Sequence, residues 1–252
     1  MDQSLQYGQM EFNLPHDVVA LPSRGVFYRP KKESLKVGYL TAADENLLMS
    51  QNTPKEGIIS ALLKTKIYEP GFDVGQLLDT DAQAVLIFLR NTAFGSGYSY
   101  KLIDPATNKY FEVEINLDEL NFLPLKHNPD SDGLFSYTLK KSNKNIKFKL
   151  LSISEINEID KLKDQYPENM IAPTITKKLE KHIIELDSDR DRMKITNFIN
   201  QMPISDAKDL RKFISECEPK LDLTRTVTAP SGEKVTFEVI FGVEFFRPFF
   251  SL

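Results

Sequence analysis

The sequence has no tryptophan, only three histidines and a single cysteine among its 252 residues. One cysteine, Cys217, cannot form an internal disulfide and excludes a zinc site built on paired thiolates. His16, His127 and His182 lie in different segments, and none belongs to an HExxH sequence that would place two ligands on one helical face. We therefore predict no metal site, and the single cysteine fits a reducing compartment.

Long runs of basic or apolar residues are also missing. Lys and Arg total 32 against 36 Asp and Glu, for a formal net charge of -4, and no segment has the clustered cations on which nucleic-acid binding depends. No stretch approaches the ~18 consecutive apolar residues of a membrane span. The start, MDQSLQYGQMEF, lacks the basic end and apolar run of a signal peptide. We expect no nucleic-acid partner, no membrane span and a cytoplasmic location.

Motifs for catalysis or cofactor binding are not found either. Gly95-Ser96-Gly97 lacks the third glycine of a dinucleotide fingerprint, and Gly232-Glu233-Lys234 lacks the upstream glycine of a phosphate-binding loop. The alternating aspartates of residues 187–191 lack the glycine and the distal glutamate of a calcium loop. Cys217 stands between two glutamates, whose charge should raise the pKa of its thiol. We predict no cofactor and no enzymatic activity, with an enzyme of unrecognised type as the alternative.

The composition that remains is globular, with 41% apolar and 27% charged residues. Prolines and glycines punctuate residues 1–30 and predict an extended arm, because they interrupt helices. A short strand is predicted at Lys36–Leu40. Thr41 can cap the helix that follows it, a second helix should begin near Pro54, and Asp79 should begin a third.

Three pairs of segments rich in aromatic and β-branched residues flank turn sequences, and each pair predicts an antiparallel hairpin. The predicted hairpins are Tyr98–Ile103 with Tyr110–Leu117, Leu134–Lys140 with Asn145–Leu151, and Leu221–Thr228 with Lys234–Phe241. In the first and third hairpins, Pro105 and Pro230 each precede a lysine and a Phe-Glu-Val sequence. This similarity suggests two blocks, each a helical group followed by a hairpin.

Between the second and third hairpins the apolar spacing becomes helical. Four helices are predicted there: Ile153–Leu162, Ile175–Leu186, Arg192–Gln201 and Ala207–Glu216, the last with Ser205 as its cap. The predicted fold class is α+β, with helical bundles and three antiparallel β-hairpins.

The chain divides into three parts by this pattern. They are an extended arm with a short strand (1–40), helices followed by two hairpins (41–151), and a helical block followed by the last hairpin and a phenylalanine-rich tail (152–252). The sequence leaves open whether the two helical blocks form one domain or two.

The tail is the most unusual segment, because five of its residues between 241 and 252 are phenylalanine. Side chains this apolar must be covered by the core of the chain or by another protein. Phe245 and Phe246 are candidates to close the core, with partner contact as the alternative. Phe249 and Phe250 lie further along, and for them the two interpretations are equally open.

Four segments occur in an order typical of one protein family: Leu21–Tyr28 (LPSRGVFY), Tyr39–Glu45 (YLTAADE), Ile146–Leu151 (IKFKLL) and Phe245–Pro248 (FFRP). By these segments the chain resembles the baseplate hub assembly proteins of T4-like bacteriophages over nearly its full length. It departs from them at two places. Some members have paired cysteines at the tip of the last hairpin, where this sequence has Pro230-Ser231-Gly232, and Arg247 stands where a tryptophan is expected. The absence of the paired cysteines puts a zinc-dependent role in doubt.

The resemblance implies a late viral protein that acts in the host cytoplasm or remains in the tail baseplate of the virion. It implies a non-enzymatic assembly factor, retained in the hub or acting transiently as a chaperone, that binds hub or tape-measure proteins while the baseplate hub assembles. Exposed apolar side chains ringed by charge would make the contacts. The candidate contact residues are Phe27, Tyr28, Phe245, Phe246, Arg247, Phe249 and Phe250. The alternatives are a structural subunit of the baseplate hub and an enzyme acting on the cell envelope.

Overall fold

The computed structural model describes residues 15–49, 55–167, 171–240 and 245. These residues form seven α-helices and eleven short β-strands in small antiparallel sheets, which confirms the α+β class. The helices are α1 (Ala42–Leu48), α2 (Lys55–Lys66), α3 (Asp79–Phe94), α4 (Ile153–Asp164), α5 (Thr174–His182), α6 (Arg192–Gln201) and α7 (Ile204–Cys217).

The strands follow the same chain order. They are β1 (His16–Ala20), β2 (Ser34–Gly38), β3 (Gly97–Ile103), β4 (Tyr110–Asn116), β5 (Phe122–Leu123), β6 (Phe135–Thr138), β7 (Asn145–Phe148), β8 (Ile183–Leu186), β9 (Lys220–Leu221), β10 (Thr224–Thr228) and β11 (Lys234–Glu238).

The predicted arm is more regular than expected where it is described. Strand β1 pairs antiparallel with β2, so the segment between them forms a loop that returns to the same sheet. Thr41 is the N-cap of α1, as predicted. Helix α3 begins at Asp79, and the carboxylates of Asp79 and Asp81 lie in its first turn, where the helix dipole favours negative charge.

All three predicted hairpins are confirmed as the pairs β3–β4, β6–β7 and β10–β11. Along each strand of the first and third hairpins, exposed and half-buried residues alternate, because successive side chains of a strand point to opposite faces. The half-buried faces contact each other: the rings of Tyr100 and Phe237 lie 4.9 Å apart. The two similar hairpins therefore pack together although contacting residues such as Asp104 and Ser231 are 127 positions apart in the sequence.

One predicted helix is too long. Helix α5 ends at His182, and Ile183–Leu186 forms strand β8, which pairs with β7 and makes the second hairpin a three-stranded sheet. The apolar spacing suits a helix, but β-branched Ile183 and Ile184 also suit a strand, and a partner strand from elsewhere in the chain decides between them. The Arg192 side chain closes the end of α5 by donating to the Ile183 carbonyl at 2.7 Å.

Two further details differ from the sequence-based expectation. Helix α7 begins at Ile204 with Pro203 as its N-cap residue, so Ser205 lies inside the helix and is not the cap. The pairing of β5 with β9 was not predicted. Each strand has two residues, and no local pattern marks two such short segments as partners.

The buried apolar side chains form one core that draws on both helical groups. Leu62, Val85 and Leu89 enter it from the first group, and Phe148 and Leu210 from the second half of the chain. Each of these side chains is essentially inaccessible to water. Helix α3 lies centrally, because one side of it packs on the β1–β2 sheet and another faces α2.

Candidate partner-binding surfaces

The segment Leu21–Tyr28 is attached to the start of α3 by a buried carboxylate. The Ser23 backbone N–H donates to Asp81 Oδ1 at 2.9 Å, and the Tyr28 hydroxyl donates to Asp81 Oδ2. The same hydroxyl accepts a hydrogen bond from the Leu78 N–H at 3.0 Å. Burial raises the pKa of Asp81, and burial together with the neighbouring carboxylate raises that of Tyr28. The segment therefore has a structural role, because it is anchored to the start of α3.

Segment Tyr39–Glu45 has a comparable structural role. The Thr41 N–H and hydroxyl both donate to Asp44 Oδ2 at 2.7 Å, and the buried ammonium of Lys66 pairs with the same oxygen. Burial acts to raise the pKa of Asp44, but the bonds from Lys66 and Thr41 outweigh it and hold that pKa below its usual value. The ion pair joins the start of α1 to the end of α2.

Two of the seven candidate contact residues are buried within the chain. Tyr28 is 4% exposed and Phe245 is 1% exposed, so neither presents an apolar surface to a partner in this structure. Phe27 is half-buried, with its ring 5.9 Å from that of Phe135. The remaining four, Phe246, Arg247, Phe249 and Phe250, lie outside the described residues.

Phe245 closes the core beside the first hairpin, which is one of the two interpretations left open by the sequence. Its ring lies 5.1 Å from that of Tyr98, and the guanidinium of Arg90 lies 5.4 Å from its centroid. Arg90 is itself buried and donates to the Gly97 carbonyl at 2.6 Å. The cation over two aromatic rings fixes the end of α3 against strand β3.

The tip of the third hairpin is held by hydrogen bonds to the first. Ser231 donates to Asp104 through its hydroxyl at 2.7 Å and through its backbone N–H at 3.1 Å. The hydroxyl of Ser231 is the main reason that the pKa of Asp104 lies below its usual value. In the part of the chain that the structure describes, no group of three or more His, Cys, Asp or Glu side chains is placed to hold a metal ion.

An open cavity of about 410 Å³ lies between the two helical groups. Its walls come from α2, α3, α4 and the segment around the end of β11, and we call it the apolar groove. The three helices contribute six apolar lining residues: Ile59, Leu63, Ala82, Leu86, Ile153 and Ile156. Ile240 stands at the rim and is 73% exposed, and the two charged lining residues are Asp79 and Glu238.

The sequence had not indicated the groove, although it contained part of the signal. Ile153 and Ile156 were recognised as one face of a helix, and such a face is ordinarily covered by the core. Here they remain half-buried at the cavity wall. The groove depends on how α2, α3 and α4 pack against each other, and the sequence spacing within one helix does not contain that information.

A smaller polar cavity of about 210 Å³ lies beside the groove and shares Asp79 with it. Its other ionisable lining residues are Lys178, His182 and Glu218. Burial raises the pKa of Glu218 and lowers that of His182, whose Nδ1 lies 2.8 Å from the Lys149 carbonyl.

The polar cavity does not assemble a nucleophile with its base from its lining residues. The one lining hydroxyl, that of Thr80, already donates to the Pro219 carbonyl at 2.7 Å. Cys217 is buried elsewhere in the core, and burial, assisted by Glu216 and Glu218, raises the pKa of its thiol to about 12. The predicted direction of that shift is confirmed, although burial contributes more than the flanking glutamates.

Exposed apolar side chains also occur singly on the described surface. Ile171, Ile204, Met193 and Val18 are each more than half exposed. Isolated apolar residues of this kind are common on protein surfaces, so they do not define a site by themselves. Within the described residues, no helix combines the length and the apolar character needed to cross a membrane.

Comparison with known proteins identifies the family. No curated protein and no solved structure matches the chain. The model of the family described as "T4 bacteriophage base plate protein" matches residues 22–247, which is nearly the whole chain. The chain therefore belongs to the T4 bacteriophage base plate protein family.

Proposed function

We propose that the protein is a non-enzymatic assembly factor that binds baseplate hub or tape-measure proteins in the host cytoplasm while the phage tail is built. Membership of the baseplate family supports the setting. The observation that carries the proposal is the apolar groove with exposed Ile240 at its rim. Covering such a surface is favourable by about 25 cal/mol per Å² of apolar area, so a protein that fills it gains free energy of binding.

The composition of the tail supports the same proposal. Phe246, Phe249 and Phe250 follow the buried Phe245, and Arg247 stands among them. Large aromatic side chains and arginine contribute most often to the energetic centre of protein interfaces. The composition of the tail thus adds candidate apolar contacts to those of the groove.

Co-purification tests the proposal. The full chain and a variant lacking residues 247–252 would each be mixed with separately purified hub and tape-measure proteins. We expect the full chain to retain at least one of them, and the shortened variant to fold, as judged by circular dichroism, but to retain less. If the full chain retains none of these proteins, the proposed function is wrong. If the shortened variant retains as much as the full chain, the tail has no part in binding.

The same contacts would serve a subunit that remains in the baseplate of the finished virion. Mass spectrometry of purified phage particles distinguishes the two roles, since a transient assembly factor is missing from the particle and a subunit is present at a fixed ratio. We propose the transient role, because the resemblance that introduced the family is to assembly proteins. A constant copy number in purified particles would instead favour the structural role.

A further inference from the structure

We infer that the apolar groove binds an apolar segment of a baseplate protein that carries lysine or arginine next to its apolar side chains. This inference rests on the proposed function, because it names the surface and the partner chemistry through which the binding would occur. A cavity of about 410 Å³ lies within the range of about 300–1,000 Å³ that is usual for ligand sites.

The charge of the groove selects the occupant. Asp79 and Glu238 are its charged lining residues, and no lysine, arginine or histidine lines it. Both carboxylates are exposed at the rim, and neither forms an ion pair with another described residue. An acidic segment would meet two uncompensated negative charges, whereas a basic side chain would complement them.

Asp79 shows what a basic side chain would supply. Its Oδ2 atom accepts one hydrogen bond, from Gln83 Nε2 at 2.9 Å. Although Asp79 as a residue is exposed, the chain packed around its carboxyl removes part of the water and raises its pKa, and the bond from Gln83 counteracts that only in part. A lysine or arginine placed beside Asp79 would stabilise the ionised form, as Lys66 does for the buried Asp44.

Hydrogen bonds hold two parts of the groove wall in place. The Val239 N–H donates to the Leu223 carbonyl at 2.9 Å and extends the third hairpin by one rung along the groove. Thr80, next to Asp79, is bonded to the Pro219 carbonyl. A site formed by rigid elements loses little conformational entropy when it is filled.

Binding of two synthetic amphipathic peptides to the full chain tests the charge preference. Both have leucine on one helical face, and the polar face is lysine in one peptide and glutamate in the other. We expect the lysine peptide to bind with a measurable Kd by fluorescence anisotropy and the glutamate peptide not to bind. Equal binding of the two peptides, or binding of neither, would overturn the inference.

Paired substitutions separate the groove from the general negative charge of the protein. In the variant with Asp79→Asn and Glu238→Gln, we expect the affinity for the lysine peptide to fall about tenfold, as for the loss of two partly exposed ion pairs. The matched control is Glu112→Gln with Glu114→Gln on the exposed face of β4, which removes the same charge elsewhere. An equal loss in both variants would show non-specific attraction and contradict the groove.

A filled groove gives a second test that does not depend on charge. Ser60 lines the groove on α2 and is half-buried, so Ser60→Trp should occupy it and weaken the lysine peptide at least roughly thirtyfold. Ser99→Trp on the exposed face of β3 is the control and should bind like the unchanged protein. Thermal unfolding of both variants confirms that they fold. Binding that persists in a folded Ser60→Trp variant would exclude the groove.

Two other occupants give distinct results. Residues 246–252 also combine phenylalanine with arginine. If the lysine peptide binds only after these residues are deleted, the groove belongs to the chain's own tail and the inference is wrong. If Ser60→Trp instead abolishes a dimer seen by sedimentation, the occupant is a second copy of the chain, which also overturns it.

Capture of purified hub and tape-measure proteins separates this inference from the proposed function. If the full chain captures one of them and Ser60→Trp captures less while Ser99→Trp does not, both stand. If Ser60→Trp captures as much as the full chain, the groove inference fails and the proposed function remains. If the full chain captures none of the hub or tape-measure proteins, the proposed function fails. A baseplate protein is then not the partner of the groove, even if the lysine peptide binds there.

Discussion

Two carboxylates in the first turn of α3 have opposite roles. Asp81 is fully buried and holds the Leu21–Tyr28 segment through Ser23 and Tyr28. Asp79 is exposed at the rim of the apolar groove and has one neutral partner. Residues two apart on a helix are separated by about 200° around its axis, so they face opposite sides. The carboxylate on one side of α3 is hydrogen-bonded within the chain, whereas the carboxylate on the other side can accept further hydrogen bonds.

Two of the four segments that suggested the family, Leu21–Tyr28 and Tyr39–Glu45, are held by buried carboxylates within the chain. Their polar groups bond to Asp81 and Asp44 inside the protein, so in this structure they stabilise the fold. The groove uses apolar residues that no motif had marked. Because we propose the groove as the partner site, substitutions on the two sides of α3 should separate stability from binding.

The largest effect is expected for Asp81→Ala. The change leaves the Ser23 N–H and the Tyr28 hydroxyl buried without their acceptor, and each such group costs about 1–3 kcal/mol, so we expect a loss of about 4 kcal/mol in the free energy of unfolding. Urea denaturation measures it. Asp79→Ala, two residues earlier on the same helix, is the control and should change the stability by less than about 1 kcal/mol. Equal losses in the two variants would refute the contrast between the two sides.

A somewhat smaller loss is expected for Gly25→Ala. Gly25 has a φ of +67°, and a Cβ atom there would overlap the backbone of Lys32. Backbone strain and overlap together should cost about 3 kcal/mol. Gly71 has a φ of +76° with open space around it, so Gly71→Ala reports the strain alone, about 1 kcal/mol. Thermal unfolding of the two variants gives the difference, and a similar shift in both would show that the overlap is relieved.

Replacing Lys66 by methionine should lower the free energy of unfolding by about 2 kcal/mol, because the buried carboxylate of Asp44 loses its charged donor. The folded-state pKa of Asp44 is depressed, so its contribution is present above the ordinary aspartate pKa of about 3.8 and disappears as the pH falls through the folded value. Lys66→Met should therefore be less stable at neutral pH and depend less on pH in acid. Urea denaturation between about pH 2 and 7 measures this; parallel curves for the two proteins would contradict it.

The sequence predicted those features that depend on neighbouring residues. The three hairpins were recognised because each has its turn between two apolar segments, and the start of α1 was recognised from Thr41. The predicted class follows from these elements alone. By contrast, β8 was assigned to a helix because its pairing with β7 is distant in the chain. Apolar spacing cannot distinguish a short helix from a strand when pairing with a distant strand determines which one forms.

The candidate contact residues were harder to predict from the sequence than the fold, for the same reason. Phe27 and Tyr28 were proposed as exposed anchors because they are aromatic and lie in a proline-rich arm, but Asp81, more than fifty residues away, draws Tyr28 inside. The groove needs three helices and the end of a hairpin to be placed together. The sequence shows that aromatic side chains such as Tyr28 must be buried against something. Which residues bury them depends on the tertiary structure.

The smallest effect, and the sharpest test of the comparison, is expected for the stability of Asp79→Asn. The folded-state pKa of Asp79 is raised, so its protonated form favours folding at low pH, and this advantage is lost as the pH rises through the folded value. At neutral pH the asparagine removes a charge that the surroundings disfavour but loses the favourable interaction of that charge with the helix dipole, typically 0.3–1 kcal/mol.

These two terms oppose each other, so Asp79→Asn should lie within about 0.5 kcal/mol of the unchanged protein at neutral pH. Relative to the unchanged protein it should gain stability as the pH rises from about 3 to 7, which urea denaturation at several pH values measures. The same substitution should contribute to the weaker binding of the lysine peptide. If Asp79 contacts a partner, its carboxylate should strengthen binding without stabilising the fold. A loss of stability as large as that of Asp81→Ala would instead show that Asp79 stabilises the fold.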